Sequence, residues 1–138
     1  MSNEADEHWL NRIGEVLARD SDYPLDNTLL YARIERNVVA LSIFKNLGNH
    51  ILYRDRDMNA LCDALRALWE SQSTEPRWAE IEYVIRDGHF DASFTYPDEI
   101  DPEEDEFVRR DRVVARHFGH RPILYPPPPD DDDDVFTL

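Results

Sequence analysis

Residues 79–96 predict an α+β domain built on an antiparallel sheet. Two alternating apolar runs there flank Asp87-Gly88, the dipeptide of a tight hairpin turn. Two further observations support the class. Apolar residues recur at helical spacing before and after this unit, and shorter alternating runs fill residues 28–54. The predicted order is helix, strands, helix, β-hairpin, helix, in one domain over residues 1–125 with a Pro/Asp-rich tail over residues 126–138. A chain of 138 residues with 41% hydrophobic content is long enough to bury a core.

Each element has its own signal. Trp9, Leu10, Ile13, Val16 and Leu17 form the apolar stripe of a helix over residues 3–18, with acids near its start and Arg19 near its end. Leu30, Ala32 and Ile34, then Val39, Leu41 and Ile43, then Ile51 and Tyr53 alternate in strand style, which predicts two or three strands. Leu61, Leu65, Leu68 and Trp69 mark a second helix, with Asp57 placed to cap it.

In the hairpin, a two-residue loop pairs Ile85 with Phe90, Tyr83 with Ala92, Ile81 with Phe94, and Ala79 with Tyr96. Those pairs share an apolar face. The other face carries Glu80, Glu82, Asp91, Ser93 and Thr95 and is expected to meet solvent. A third helix is expected over residues 102–118, with Pro102 in its first turn, acids behind it and Arg109, Arg110, Arg112 and Arg116 in later turns. Phe107, Val114 and Phe118 are spaced to pack inward, and Gly119 stops the helix.

Charge is the second theme. Thirty acids stand against fifteen bases, a formal charge of −15. Twelve of those acids fall in two segments: seven within residues 98–106 (DEIDPEEDE) and five at residues 130–134. Without them the balance is 18 to 15, so the acidity is local. A local block of like charge repels itself unless something offsets it. Strong acidity argues against a nucleic-acid binder, which needs a basic footprint for phosphate. No apolar stretch approaches the roughly 20 residues that span a bilayer. The opening residues MSNEADEHW lack the basic start and apolar run of a signal peptide, and the single Cys62 rules out an internal disulfide. A soluble, cytoplasmic protein is expected.

Catalytic patterns are absent. The four glycines at 14, 48, 88 and 119 stand singly, so no phosphate loop forms. Cys62 sits among Leu61 and Leu65 as a packing residue. His117 and His120 have no third ligand at metal spacing, and DEIDPEEDE lacks the central Gly of a calcium loop. We expect no enzyme, metal or cofactor. The acidic segment has two readings. Glu103, Glu104, Asp105 and Glu106 can charge-balance the third helix, for example Glu106 with Arg109 and Arg110. They can also meet a basic partner. Asp98, Glu99 and Asp101 precede the helix, have no such intrahelical partner and lean further towards binding. Glu80 and Glu82 would extend the same negative surface. Tyr96, Phe107 and Trp78 are the nearby aromatic anchors.

Residues 78–119 also carry a resemblance. Trp78 leads a strand, the Asp87-Gly88 hairpin returns through Phe90 and Phe94, and Tyr96 precedes Pro-Asp98-Glu99. An acidic stretch with Asp105 and Glu106 then runs into Arg109 and Arg110, and the helix closes on Phe118-Gly119. This order resembles the YezG-like immunity proteins, small antitoxins that neutralise secreted polymorphic toxins, several of them nucleases. The family often has an aromatic pair in the last helix, where this chain offers Val114 and His117, and the Pro-Asp tail is not part of the pattern. The resemblance implies a cognate toxin C-terminal domain as protein partner, a role in bacterial competition, and no cofactor. With the charge pattern it makes Asp98, Glu99, Asp101, Glu103, Glu104, Tyr96, Glu80 and Glu82 the candidate toxin-binding residues. The alternative is a cytoplasmic secretion chaperone or adaptor for an exported effector.

Overall fold

Leu10, Ile13, Val16 and Leu17 line one buried stripe of α1 (Glu4–Leu17), as their spacing requires. The chain then forms β1 (Thr28–Glu35), β2 (Val38–Asn46) and β3 (Ile51–Arg54), crosses through α2 (Met58–Glu70), and makes the hairpin β4 (Glu80–Arg86) and β5 (His89–Thr95). A short 3-10 turn (Pro97–Glu99) leads to α3 (Glu106–Phe118) and a two-residue strand, β6 (Ile123–Leu124). The computed structural model describes residues 4–35, 38–72 and 75–125. The tail of residues 126–138, with its Asp run, lies outside the described residues.

The fold is α+β, with a mixed six-stranded sheet in the order β5-β4-β1-β2-β3-β6. Four of its five strand pairings are antiparallel, and β3–β6 is parallel. The predicted element order does not match, because the chain does not end on α3. It returns as β6, where Ile123 lies beside Ile51. Two residues are too short a run for alternation to be visible in sequence.

The hairpin register is the expected one for Ile85 with Phe90, Tyr83 with Ala92 and Ile81 with Phe94. Asp87 and Gly88 have φ of 53° and 82°, the left-handed conformation of a type I′ turn. The fourth pair, Ala79 with Tyr96, lies beyond the ladder, where the Ala79 N–H donates to the Thr95 carbonyl at 2.7 Å.

The sheet is covered on both faces. α1 and α2 lie over Leu30, Ala32, Ile34, Ile43, Ile81, Tyr83 and Ile85. The Tyr83 hydroxyl donates to the Leu10 carbonyl at 2.7 Å, and a Cβ at Gly14 would stand 2.8 Å from that hydroxyl. Gly14 is therefore what lets α1 approach the sheet. On the other face, Val113, Val114 and Phe118 of α3 pack on Leu29, Tyr31, Phe44, Ile51 and Val84.

Three local expectations are corrected. Asp57 precedes α2 but makes no capping bond; with left-handed backbone (φ 55°, ψ 36°) its carboxylate turns to Arg19 at 3.8 Å. α3 starts at Glu106, because Asp105 is extended (φ −61°, ψ 135°) and its Oδ2 accepts from Phe107 N and Val108 N at 3.0 and 3.1 Å. Phe107 does not pack inward and is 63% exposed. It lies about 200° around the helix from Arg109, which faces the sheet.

Candidate functional site

Glu80 and Glu82 show how the acidic residues divide. They alternate along β4 as predicted, yet both are buried, because α3 covers that face of the sheet. The expectation that this face meets solvent is corrected for both. Arg109 grips Glu80 through Nε and Nη2 at 2.7–2.9 Å, the Tyr31 hydroxyl donates to it at 2.6 Å, and Arg33 stands 3.2 Å away. Burial, then this contact with Glu80, pushes the Tyr31 hydroxyl well above the usual tyrosine range. Glu82 accepts from Arg116 and pairs with His117 Nε2 at 2.7 Å. Burial works against its ionisation, but hydrogen bonds from His117 and Arg116 outweigh it and hold the carboxyl below its ordinary range. Arg109 and Arg116 are seven apart, one face and ~10.5 Å along α3. Their long arms converge on two carboxylates ~6.8 Å apart on the strand. That spacing was a signal in the sequence.

The acidic segment between β5 and α3 is a folded turn. The Tyr96 N–H donates to the Glu99 carboxylate at 2.8 Å, and the Glu99 N–H donates back to the Tyr96 carbonyl at 2.9 Å. Asp101 accepts from the Glu103 N–H at 2.9 Å on its side chain and from the Glu104 N–H on its carbonyl. Asp105 caps α3. Glu104 is only 19% exposed and pairs with Arg112 and, at 3.6 Å, with Arg109. Glu106 reaches Arg33 at 3.4 Å, not the expected Arg109 and Arg110. Among the described residues, Asp98 and Glu103 have no partner. Asp98, Glu99, Asp101 and Glu103 are all exposed. Of the eight expected contact residues, these four form one outward ridge. Glu104 sits at its base.

Tyr96 is half-buried against the core, and its hydroxyl accepts from Gln72 Nε2 at 3.3 Å. The sequence did not reveal the groove beside it. A surface groove of about 760 Å³ is bounded by Val38, Trp69, Pro76, Trp78, Ile100 and Pro102. It gathers residues from the end of β1, the start of β2, the α2–β4 linker and the acidic turn. The Trp69 indole N–H donates to the Trp78 carbonyl at 2.8 Å, and Arg77 lies over the Trp69 ring at 4.7 Å. These contacts fix the groove wall. Trp69 reads in sequence as part of a helix face and Trp78 as an anchor near the acids, and only tertiary folding puts both beside Ile100 and Pro102.

A second aromatic site surrounds Arg110, whose guanidinium stands over Phe107, Phe44 and Tyr125 at 5.1, 5.6 and 5.7 Å. Cys62 is half-buried, and burial raises its thiol pKa. Among the described residues, no three His, Cys, Asp or Glu side chains are grouped to hold a metal ion. No described helix is long and apolar enough to cross a membrane. No family model matches the chain, and no curated protein matches it.

Proposed function

We propose that the chain is an immunity-type protein that binds a cognate secreted toxin domain, a nuclease in the favoured form, and neutralises it by occlusion in the cytoplasm. One observation carries this reading: the exposed ridge of Asp98, Glu99, Asp101 and Glu103 is held by backbone hydrogen bonds beside a groove walled by two tryptophans. A nuclease surface that grips phosphate is basic. Carboxylates presented on a turn folded in advance steer such a surface into contact, and the groove takes an anchoring apolar side chain. Glu80 and Glu82 act from beneath, by holding α3 in place. Inhibition of this kind is stoichiometric and uses no cofactor.

The groove also favours a second reading, a chaperone or adaptor that holds an exported effector through apolar contact. The two separate in one experiment. The chain is co-expressed and co-purified with the C-terminal domain of whatever protein the gene immediately upstream encodes, which the immunity reading expects to be a secreted toxin, in low and high salt. The variants are Asp98→Asn/Glu103→Gln and, in the groove, the exposed Val38→Ser. Immunity predicts a 1:1 complex with a folded domain, protection of cells, and weakening by salt and by the carboxylate pair. A complex held only with an unfolded client, and lost only with Val38→Ser, favours the chaperone. Absence of any complex with that domain sinks the immunity reading for the pair.

A further inference from the structure

We propose that β5 is a self-pairing edge, through which two copies of this chain join their sheets as an antiparallel dimer. This does not depend on the function proposed above. β5 ends the sheet, with β4 as its one neighbour among the described residues. Arg86 and His89 close the two-residue turn as a hydrogen-bonded pair, so Phe90, Ala92 and Phe94 direct their backbone N–H and C=O groups away from β4. An edge of this length is ordinarily blunted by Pro, by charged side chains, Lys above all, or by a bulge. His89–Thr95, HFDASFT, has no Pro, no Lys and a single carboxylate, Asp91.

The strand is also complementary to itself. A two-fold axis at Ala92 sets Phe90 against Phe94 of the second copy, Asp91 against Ser93, and His89 against Thr95. No like charges stand opposite one another. Phe90 and Phe94 are half-buried at the rim of the α1/α2 side of the sheet. Phe90 stacks on Tyr83 at 4.8 Å and Phe94 contacts Trp78 at 5.3 Å, so both rings are already ordered before pairing. A second copy would continue both the backbone ladder and this apolar layer. The formal charge of −15 opposes association. Seven of those acids lie at residues 98–106, beyond the strand. Salt therefore tightens the dimer, the opposite of its effect on a complex with a basic partner.

Sedimentation equilibrium of the full chain over a concentration series, at low and high salt, tests this with Ser93→Asp, Ser93→Lys and Ala92→Pro. Ser93 is exposed and meets Asp91 twice per dimer in this register. Ser93→Asp creates two like-charge pairs and weakens the dimer by about tenfold, and Ser93→Lys tightens it. Ala92→Pro removes an outward N–H while sparing the β4 ladder, and leaves a monomer. Circular dichroism checks the fold of each variant. Should Ala92→Pro fail to fold, the opposite shifts of the two Ser93 variants decide. A wild type that is monomeric throughout, or a dimer that both Ser93 variants leave unmoved, overturns the proposal. The latter result would place the interface elsewhere.

Discussion

Glu82 is a carboxylate under a helix, and Arg116 and His117 beside it decide what burial does to it. Alone on β4 it would be too costly to ionise; with Arg116 and His117 beside it, the charged form is the favoured one. The sign of the pH effect follows. The folded pKa lies below the unfolded value of about 4.3, so the stabilisation is complete above that value and is lost as pH falls through the folded pKa. Asp20, held by Arg54 at 2.7 Å, has the same sign: burial opposes its ionisation, and the Arg54 and Asp22 N–H hydrogen bonds with the charges of Arg54 and Lys45 together outweigh it. Glu82→Gln is expected to cost about 1.5 kcal/mol at pH 5.5, since a buried amide does not replace the carboxylate's hydrogen bonds with Arg116 and His117. The gap to the wild type then narrows as pH drops to 3. Urea unfolding at stepped pH measures it, and a gap that stays constant to pH 3 would show that Glu82 is not the ionised partner.

At the scale of elements, the turn and register of β4–β5 were legible because its period of two, its turn dipeptide and its apolar pairing agree. α3 was legible in part. Pro102 and four successive acids read as a first helical turn, but that reading treats the acids as equivalent. In the fold Asp101 closes its own turn and Asp105 caps the helix, which postpones its start to Glu106. Periodicity could not decide between the two, since both use a short side chain to satisfy a backbone N–H. The cap gives the second prediction. Asp105→Ala is expected to lower stability by about 1 kcal/mol and Asp105→Asn by much less, because the amide oxygen still accepts from Phe107 and Val108. Chemical denaturation of the pair checks this. Equal losses for both variants would instead make the charge at the helix N-terminus the stabilising factor.

For the whole molecule, the sequence revealed where the charge is but not which face it serves. Glu80 and Glu82 looked like solvent-facing alternates of Ile81 and Tyr83; only the return of α3 across the sheet, with Arg109 and Arg116 aligned, turns them into buried anchors. The groove of Trp69, Trp78 and Ile100 was illegible for the same reason, since its residues lie far apart in sequence. What remains at the surface is an acidic ridge in which Asp98 and Glu103 have no partner among the described residues. Carboxylates in that position repel the rest of a chain of formal charge −15 and contribute nothing to its fold. Asp98→Asn/Glu103→Gln should therefore leave stability within about 0.5 kcal/mol of wild type, or raise it at low ionic strength. Added salt should stabilise the wild type more than the variant by screening the same repulsion. Thermal unfolding at low and high salt reads both effects. A clear loss of stability in the variant would make the ridge part of the fold, whereas stability unchanged or raised is the outcome expected of carboxylates that the fold does not need.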